Sequence, residues 1–328
     1  MNRVFCLLLL VLVALSLLCC GGGGGTTITT GPPGPTLGTG VPCGTQAGTI
    51  CYSLSHSGVT RTFALHIPSN FQKNAGALVI VLHGSDGDGV KVEGNTGFST
   101  LADQVGFAVA YPDGLADPDG QTDWAYFFND FTDDVGFLRQ LISLLQSNVE
   151  PNPKKIYVTG FSAGALMAHR MGVQASDLVA AIGPVEGTLS SSSDPEVVPA
   201  ALGPVSVIEL HGDQDKVIHY CGDSTDESVE ASFNYWTGSS ANSCSSFDTT
   251  SALCDAQGNI TAVVEKDATS CKGNTEVKFY KLIGGDHEWF SVPMNVSGDI
   301  PYNPDFDSST GIVTTNIIWN FFASHPKP

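Results

Sequence analysis

The chain has 328 residues, with 33 Asp and Glu against 14 Lys and Arg, so its formal net charge is −19. So few cationic side chains cannot neutralise a phosphate backbone. The composition therefore argues against nucleic-acid binding and disfavours a polyanionic substrate. A composition that is 42% hydrophobic and 14% charged is typical of a globular protein with a sizeable core.

The first residues predict export. Arg3 is followed by an apolar run that ends at Leu18, which is too short to favour a membrane-spanning helix and typical of a signal peptide. Cys19 and Cys20 then precede five glycines, an arrangement that resembles the lipidation site of bacterial lipoproteins. We expect a signal peptide over residues 1–19 and lipidation at Cys20, or at Cys19, as the one contact with a membrane. The alternative is ordinary cleavage and free secretion.

Export determines how the cysteines are interpreted. Three of the nine lie in the leader, so 9 − 3 = 6 remain, and an even number in an oxidising compartment predicts three disulfides. Cys43 and Cys51 form the natural local pair. No C-x-x-C pair and no histidine next to a cysteine is present, so we expect neither a metal nor another cofactor. The remaining cysteines, for which three connectivities are open, are Cys221, Cys244, Cys254 and Cys271.

Residues 20–41 are rich in Gly, Thr and Pro and predict a linker, so we expect one folded domain over residues 42–328. Helices are expected over residues 133–148, after residue 164, and over 310–324. Residues 61–67 alternate apolar and polar side chains, which favours an antiparallel edge strand. Further strands are expected at residues 77–82, 107–111, 156–159, 179–183, 205–210 and 276–282.

This alternation of strands and helices predicts an α/β fold with a mostly parallel sheet and helices on both faces. Residues 237–274 differ from the rest, being polar, rich in Gly and Ser, and supplied with three cysteines. We expect them to be an insertion held by disulfides rather than part of the core.

Residues 160–164 read Gly-Phe-Ser-Ala-Gly and lie between a predicted strand and a predicted helix. In this context a G-x-S-x-G sequence places its serine on a tight, strained turn, where bulky neighbours would clash. Ser162 is therefore the candidate nucleophile. The alternative is a glycine-rich turn with an incidental serine.

A serine hydroxyl needs a base to accept its proton, and that imidazole needs an acid to fix its tautomer. His287 follows the last predicted strand and is the expected base. His211 and His219 come too early in the chain order of such enzymes. His169 lies two turns beyond Ser162 and is expected to pack.

The acid is expected in the loop after the strand at residues 205–210. That loop offers Asp213 and Asp215, of which Asp215 lies farther out and is our choice, while Asp213 is assigned a structural role. Asp286 is adjacent to His287 and poorly placed to meet its ring.

The developing oxyanion needs backbone N–H donors. We expect one from Ala163 and one from Ser85, which lies in the glycine-rich loop after the strand at residues 77–82. His83 is expected to shape this loop. Trp124 and the aromatic residues that follow it either form an apolar lip of the site or pack in the core.

Six motifs occur in one order along the chain. They read Leu-His-Gly at 82–84, Tyr-Pro-Asp-Gly at 111–114, Asp-Asp-Val-Gly-Phe at 133–137, Gly-Phe-Ser-Ala-Gly at 160–164, His-Gly-x-x-Asp at 211–215 and Gly-Gly-Asp-His-x-Trp at 284–289. The set resembles the secreted polyhydroxybutyrate-depolymerase-like esterases, which are α/β-hydrolases related to feruloyl and acetylxylan esterases. The resemblance implies Ser162 as nucleophile, Asp215 as acid and His287 as base, with Trp289 lining the substrate pocket.

Asp286 and Phe290 depart from that family, in which glycine and proline often stand at these positions. Together with the predicted export, the resemblance predicts a serine carboxylesterase that acts outside the cytoplasm through an acyl-enzyme on feruloyl or acetyl esters of plant polysaccharide. We expect it to be a monomer. The alternatives are an extracellular polyhydroxyalkanoate depolymerase, a peptidase of the same fold, and a non-catalytic carbohydrate-binding lipoprotein.

Overall fold

A computed structural model describes residues 36–189, 198–224, 226–249, 266–282, 285–289, 296–297 and 313–328. The predicted signal peptide, the lipidation site at Cys20 and Cys254 lie outside these residues. From Gly34 onward the chain forms one compact unit. Within the described ranges, no helix combines the length and apolar character that a membrane span requires.

The strands are β1 (Val41–Pro42), β2 (Ile50–His56), β3 (Val59–His66), β4 (Leu78–Leu82), β5 (Ala108–Pro112), β6 (Leu115–Ala116), β7 (Thr122–Asp123), β8 (Ile156–Phe161), β9 (Ala181–Val185), β10 (Ser206–Gly212), β11 (Ser246–Thr249), β12 (Lys266–Thr269), β13 (Val277–Leu282) and β14 (Val296–Ser297).

The helices are α1 (Gly89–Thr96), α2 (Phe98–Val105), α3 (Asp134–Asn148), α4 (Ala163–Gln174), α5 (Val229–Thr237) and α6 (Val313–Ser324). Helix α3 begins where the acidic residues predict, because the Asp133 carboxylate accepts the N–H of Gly136 at 2.9 Å and caps the first turn.

The main sheet has the strand order β1-β2-β3-β5-β4-β8-β9-β10-β13-β12-β11, with β14 paired to β13. The central strands β5, β4, β8, β9, β10 and β13 are parallel. Antiparallel strands extend both edges. The carboxyl ends of the parallel strands therefore meet along one edge of the sheet, which is where such folds assemble a site.

The sheet separates two apolar cores, because its central strands bury side chains on both faces. Along β4, Leu78, Ile80 and Leu82 contact one core, and Val79 and Val81 contact the other. Helices α3, α4 and α5 pack on the first face, and α1, α2 and α6 on the second. The predicted α/β-hydrolase architecture, a mostly parallel sheet with helices on both faces, is confirmed.

Two expectations about the edges need revision. Residues 61–67 were expected as an edge strand, but β3 lies inside the sheet between β2 and β5, with β1 farther out. Residues 237–274 were expected outside the core, but β11 and β12 continue the main sheet and Ala268 is fully buried.

The structure contains the predicted disulfide between Cys43 and Cys51 and a second one between Cys244 and Cys271. Cys221 is also disulfide-bonded.

Candidate active site

Ser162 lies on the turn between β8 and α4 with φ 56° and ψ −123°, a conformation that is strained for a residue with a side chain. The flanking glycines are required by close backbone contacts. A Cβ atom on Gly160 would lie 2.3 Å from the carbonyl oxygen of Gly164, and one on Gly164 would lie 2.4 Å from that of Leu82. The glycines of the G-x-S-x-G sequence therefore permit a turn that presents the serine at the carboxyl edge of the sheet.

The loop after β4 passes beside this serine, since a Cβ on Gly84 would lie 3.3 Å from the Cβ of Ser162. His83 shapes the loop. Its Nε2 accepts the N–H of Gly114 at 2.8 Å, so Nδ1 carries the proton and donates to the carbonyl of Gly84 at 2.7 Å. Burial lowers the pKa of His83, which keeps the ring neutral.

The bond from His83 bears directly on the predicted oxyanion donor. The carbonyl of Gly84 and the N–H of Ser85 belong to one planar peptide unit, so fixing the carbonyl also fixes the direction of the N–H. Ala163 is the first residue of α4, and a first helical residue has no intrahelical acceptor for its N–H. Both predicted donors therefore lie close to Ser162 in the backbone.

Trp124 supports this loop from the core. Its side chain is 4% exposed, its Nε1 donates to the carbonyl of His83 at 2.9 Å, and its ring lies 4.9 Å from that of His83. Of the two expectations for this residue, a pocket lip and core packing, the structure shows core packing.

Asp215 and His287 come together across the ends of β10 and β13. The Nδ1 of His287 donates to Oδ2 of Asp215 at 2.8 Å, and the imidazole lies 4.8 Å from the ring of Phe161, the residue before the serine. Oδ1 of Asp215 accepts the N–H groups of Val217 and Ile218 at 2.7 and 2.9 Å. Burial acts to raise the pKa of Asp215, but hydrogen bonding with neighbouring side chains and the backbone outweighs it and holds the pKa far below its ordinary value.

The other candidates occupy different positions. Asp213 lies 3.7 Å from the Nζ of the buried Lys281, consistent with a structural role. His169 is fully buried and accepts the indole N–H of Trp236 at 3.0 Å. His219 forms an exposed pair with Asp223.

A cavity of about 510 Å³ opens beside the serine turn and the imidazole. Trp289 forms one wall, with its Nε1 donating to Oγ1 of Thr315 on α6 at 3.1 Å and its ring packed edge-on against Phe98. Polar side chains also line the cavity. The lining includes Ser85, Asp86, Lys91, Asn95, His287 and Trp289.

Sequence reasoning did not identify a buried group of ionisable side chains beneath Asp215. Glu186 and Glu209 are fully buried, as is His211. Glu186 follows directly after β9, three residues beyond the predicted strand at 179–183, and an acidic residue just past a predicted strand is the signal that would have identified it. Within the described part of the chain, Glu186, His211 and Asp215 bring possible metal-ligand atoms within 4.8 Å of one another. However, Asp215 is hydrogen-bonded to His287, and His211 donates to the carbonyl of Ile218.

Residues 61–202 match the protein family described as Esterase PHB depolymerase. The chain is 32% identical over 165 residues to the bifunctional acetylxylan esterase/xylanase of Neocallimastix patriciarum, an alignment that covers 50% of this chain and 22% of that protein. It is 28% identical over 237 residues to feruloyl esterase B of Piromyces equi, covering 69% of this chain and 42% of that protein. The chain thus spans less than half the length of these relatives.

Among solved structures, the acetyl xylan esterase from Aspergillus awamori matches with a TM-score of 0.53 and 16% identity, over 80% of this chain and 94% of that one. This likeness shows the fold. The family match over residues 61–202 confirms the resemblance that the motifs indicate.

Proposed function

We propose that this chain, which resembles the polyhydroxybutyrate-depolymerase esterases over residues 61–202, is a serine carboxylesterase. The observation that carries the proposal is the hydrogen bond of 2.8 Å between Asp215 and His287. It lies beside a serine on a strained strand-to-helix turn and a loop with an N–H donor held in place by His83. A nucleophile, a base, an acid and oxyanion donors in this relation are what acyl transfer requires.

In this mechanism Ser162 Oγ attacks the ester carbonyl while Nε2 of His287 accepts the hydroxyl proton. Asp215 holds the imidazole with Nδ1 protonated and stabilises the imidazolium. The N–H groups of Ser85 and Ala163 stabilise the oxyanion of the tetrahedral intermediate. His287 then returns its proton to the departing alcohol, and water, activated by the same ring, releases the acid from the acyl-enzyme.

The cavity supports acetyl or feruloyl esters of a polysaccharide as substrates. It combines an aromatic wall, Trp289, with the charged and amide side chains of Asp86, Lys91 and Asn95. Sugar hydroxyls both donate to and accept from such polar groups, whereas a polyester chain offers them only ester oxygens as acceptors. The relatives named for acetylxylan and feruloyl esters agree with this choice. The second candidate, a polyhydroxyalkanoate depolymerase, is favoured by the description of the matching family.

We further propose that the protein acts outside the cytoplasm as a monomer. The disulfides support an oxidising compartment. The apolar run before Cys19 and Cys20 supports export with a lipid anchor at Cys20, to a periplasmic, outer-membrane or extracellular position.

The test is hydrolysis of four esters by the purified protein and by Ser162→Ala. The panel is p-nitrophenyl acetate, methyl ferulate, acetylated xylan and a hydroxybutyrate oligomer, and Ser147→Ala, an exposed serine on α3, is the matched control. We expect turnover that Ser162→Ala abolishes and Ser147→Ala retains, with preference for the two polysaccharide-type esters. Equal turnover by wild type and Ser162→Ala would refute the mechanism. A folded protein inactive on all four esters would favour the carbohydrate-binding lipoprotein.

A further inference from the structure

A cluster of ionisable side chains lies directly beneath Asp215. Glu186 follows β9, Glu209 and His211 belong to β10, and His169 belongs to α4. All four are 0% exposed. Buried ionisable groups are costly unless they are neutral or paired, so the protonation state of each can be worked out from its contacts.

The two oxygens of Glu186 differ. Oε1 accepts the N–H of Gly212 at 2.8 Å. Oε2 has no hydrogen-bond partner among the described residues, and it lies 3.5 Å from Nε2 of His211. That nitrogen donates its proton to the carbonyl of Ile218 at 2.8 Å, so it cannot accept one. Among the described residues, the nearby acceptor is the carboxylate of Asp215. Its Oδ2 lies 3.4 Å from the same nitrogen, and possible ligand atoms of Glu186, His211 and Asp215 lie within 4.8 Å of one another.

Of the two carboxyl groups, Glu186 and not Asp215 holds the proton, for electrostatic reasons. Two neighbouring carboxyl groups in a buried cluster cannot both ionise. Asp215 accepts two backbone N–H groups and the imidazole of His287, whereas Glu186 accepts one backbone N–H. Burial and the Asp215 carboxylate raise the pKa of Glu186 well above its ordinary value. The proton sits on Oε2, because Oε1 is already an acceptor.

We propose that Glu186 is a positioning residue of the site, a neutral carboxylic acid whose Oε2–H donates to Oδ2 of Asp215, the oxygen that also accepts from His287. This inference rests on the proposed function. Neither the six motifs nor the chain order of the three catalytic residues points to it.

The backbone fixes Glu186 in this position. Its φ is 53°, which is uncommon for a residue with a side chain, and its N–H donates to the carbonyl of Leu210 on β10 at 3.0 Å. Two further ionisable groups of the cluster, Glu209 and His169, are neutral. Burial raises the pKa of Glu209 well above its ordinary value and lowers the pKa of His169 to about 3. The negative charge of the cluster therefore resides on Asp215, which accepts the hydrogen bond of the His287 imidazole.

Two substitutions test whether the Glu186 side chain acts as a hydrogen-bond donor, as a charged group or only by packing. In Glu186→Gln, the amide oxygen accepts from Gly212 and the amide N–H donates to Asp215. We expect kcat/KM of this variant to stay close to that of wild type. We also expect no change in the acid limb of the pH profile, which is the fall of kcat/KM toward low pH. Glu186→Leu removes the donor, so we expect kcat/KM to fall about 10- to 100-fold, as for a buried hydrogen bond to a charged group. The acid limb should move to higher pH, because Asp215 then holds the proton of His287 more strongly.

Glu209→Gln and Glu209→Leu are the matched controls, because Glu209 is equally buried on β10. Its nearest ionisable contacts are His169 at 3.3 Å and His211 at 3.8 Å. We expect these variants to change stability while the acid limb stays in place. An acid limb that moves to lower pH in Glu186→Gln would mean that Glu186 is ionised, and unchanged kinetics in Glu186→Leu would mean that it only fills space. Either result overturns the proposal.

A second readout does not depend on turnover. The low-field proton NMR signal of the His287 Nδ1–H, assigned by its loss in His287→Ala, reports the bond to Asp215. The pH at which this signal changes should match wild type in Glu186→Gln and be higher than wild type in Glu186→Leu. The opposite order would refute the role of Glu186. If Ser162→Ala leaves turnover intact, the proposed function fails, while this signal still decides the protonation of Glu186.

Discussion

The histidines around the site hold their proton on different ring nitrogens, because their hydrogen-bond partners differ. His287 donates from Nδ1 to Asp215, as a catalytic imidazole requires, while His83 donates from Nδ1 to the loop backbone. His211 donates from Nε2 to a carbonyl. His169 accepts an indole N–H at Nδ1 and directs Nε2 toward the carbonyl of Gly187. The side chain alone does not specify a role, because the hydrogen bonds around each ring select its tautomer.

His169 makes stability depend on pH. Its pKa is lowered by burial from 6.5 to about 3 in the folded protein. Between these values the unfolded chain binds a proton that the folded protein refuses, so the free energy of unfolding falls as pH decreases from 6.5 toward 3, by up to about 1.4 kcal/mol per pH unit. His169→Gln, whose amide oxygen can accept from Trp236, should remove this part of the slope. Urea unfolding at several pH values from 7 to 4 measures it, and parallel wild-type and variant curves would contradict the expectation.

At this scale the sequence predicts Ser162 as nucleophile, Asp215 as acid and His287 as base, because each of them follows a strand that is visible in the sequence. It did not reveal the roles of Glu186 and Glu209. Their acidic side chains are visible at and within predicted strands, but what they contact depends on the packing of β9 against β10. It left two roles open for Trp124, because an aromatic residue in a loop does not show which way its ring points. Tertiary contacts settle such cases.

At the scale of elements, the wall of the cavity depends on α6. Thr315 accepts the indole N–H of Trp289 at 3.1 Å and donates to the carbonyl of Thr96, the last residue of α1. The hydroxyl of Thr315 therefore contacts two residues that line the pocket, Trp289 and Thr96.

Thr315→Val should disturb these two contacts. The indole N–H and the carbonyl of Thr96 both lose their partner, so we expect KM for a feruloyl or xylan ester to rise several-fold while kcat changes little, with a stability loss of about 1–3 kcal/mol. Thr314→Val is the matched control, since its buried hydroxyl has no hydrogen-bond partner among the described residues and its replacement should be close to neutral. Equal effects of the two substitutions on KM would show that the hydroxyl of Thr315 does not hold Trp289.

The sequence predicted the elements of the parallel sheet well, because buried strands are continuous apolar runs. It did not predict α5, although Ser228 caps it by accepting the N–H of Ala231 at 3.1 Å and would have served as a start signal. It took β3 for an edge because alternation shows one buried face but not the number of strands beyond it. The polar composition of residues 237–274 hid β11 and β12, which join the sheet through backbone hydrogen bonds.

At the scale of the whole molecule, the antiparallel margins of the sheet are each held by a disulfide. Cys43–Cys51 joins residues 8 apart beside β1 and β2, and Cys244–Cys271 joins residues 27 apart around β11 and β12. The disulfide that closes the longer loop stabilises the folded protein more, because a cross-link removes more conformational entropy from the unfolded chain as the loop grows.

Replacing each pair by serine should reveal this order. We expect the loss of Cys244–Cys271 to lower the free energy of unfolding by about 3–4 kcal/mol and the loss of Cys43–Cys51 by about 2–3 kcal/mol. Denaturant unfolding of the two double variants and wild type, all under oxidising conditions, gives the comparison. A larger loss from the Cys43–Cys51 pair would mean that native contacts, and not loop closure, dominate at that margin.

The most direct test of the account is covalent labelling with a fluorophosphonate, which reacts with activated serines. We predict one adduct, located by mass spectrometry on Ser162 and absent in Ser162→Ala. His287→Ala should slow the labelling about 1,000-fold or more, because the serine loses its base. Labelling of another residue, or a rate that His287→Ala leaves unchanged, would contradict a catalytic unit built from Ser162, His287 and Asp215.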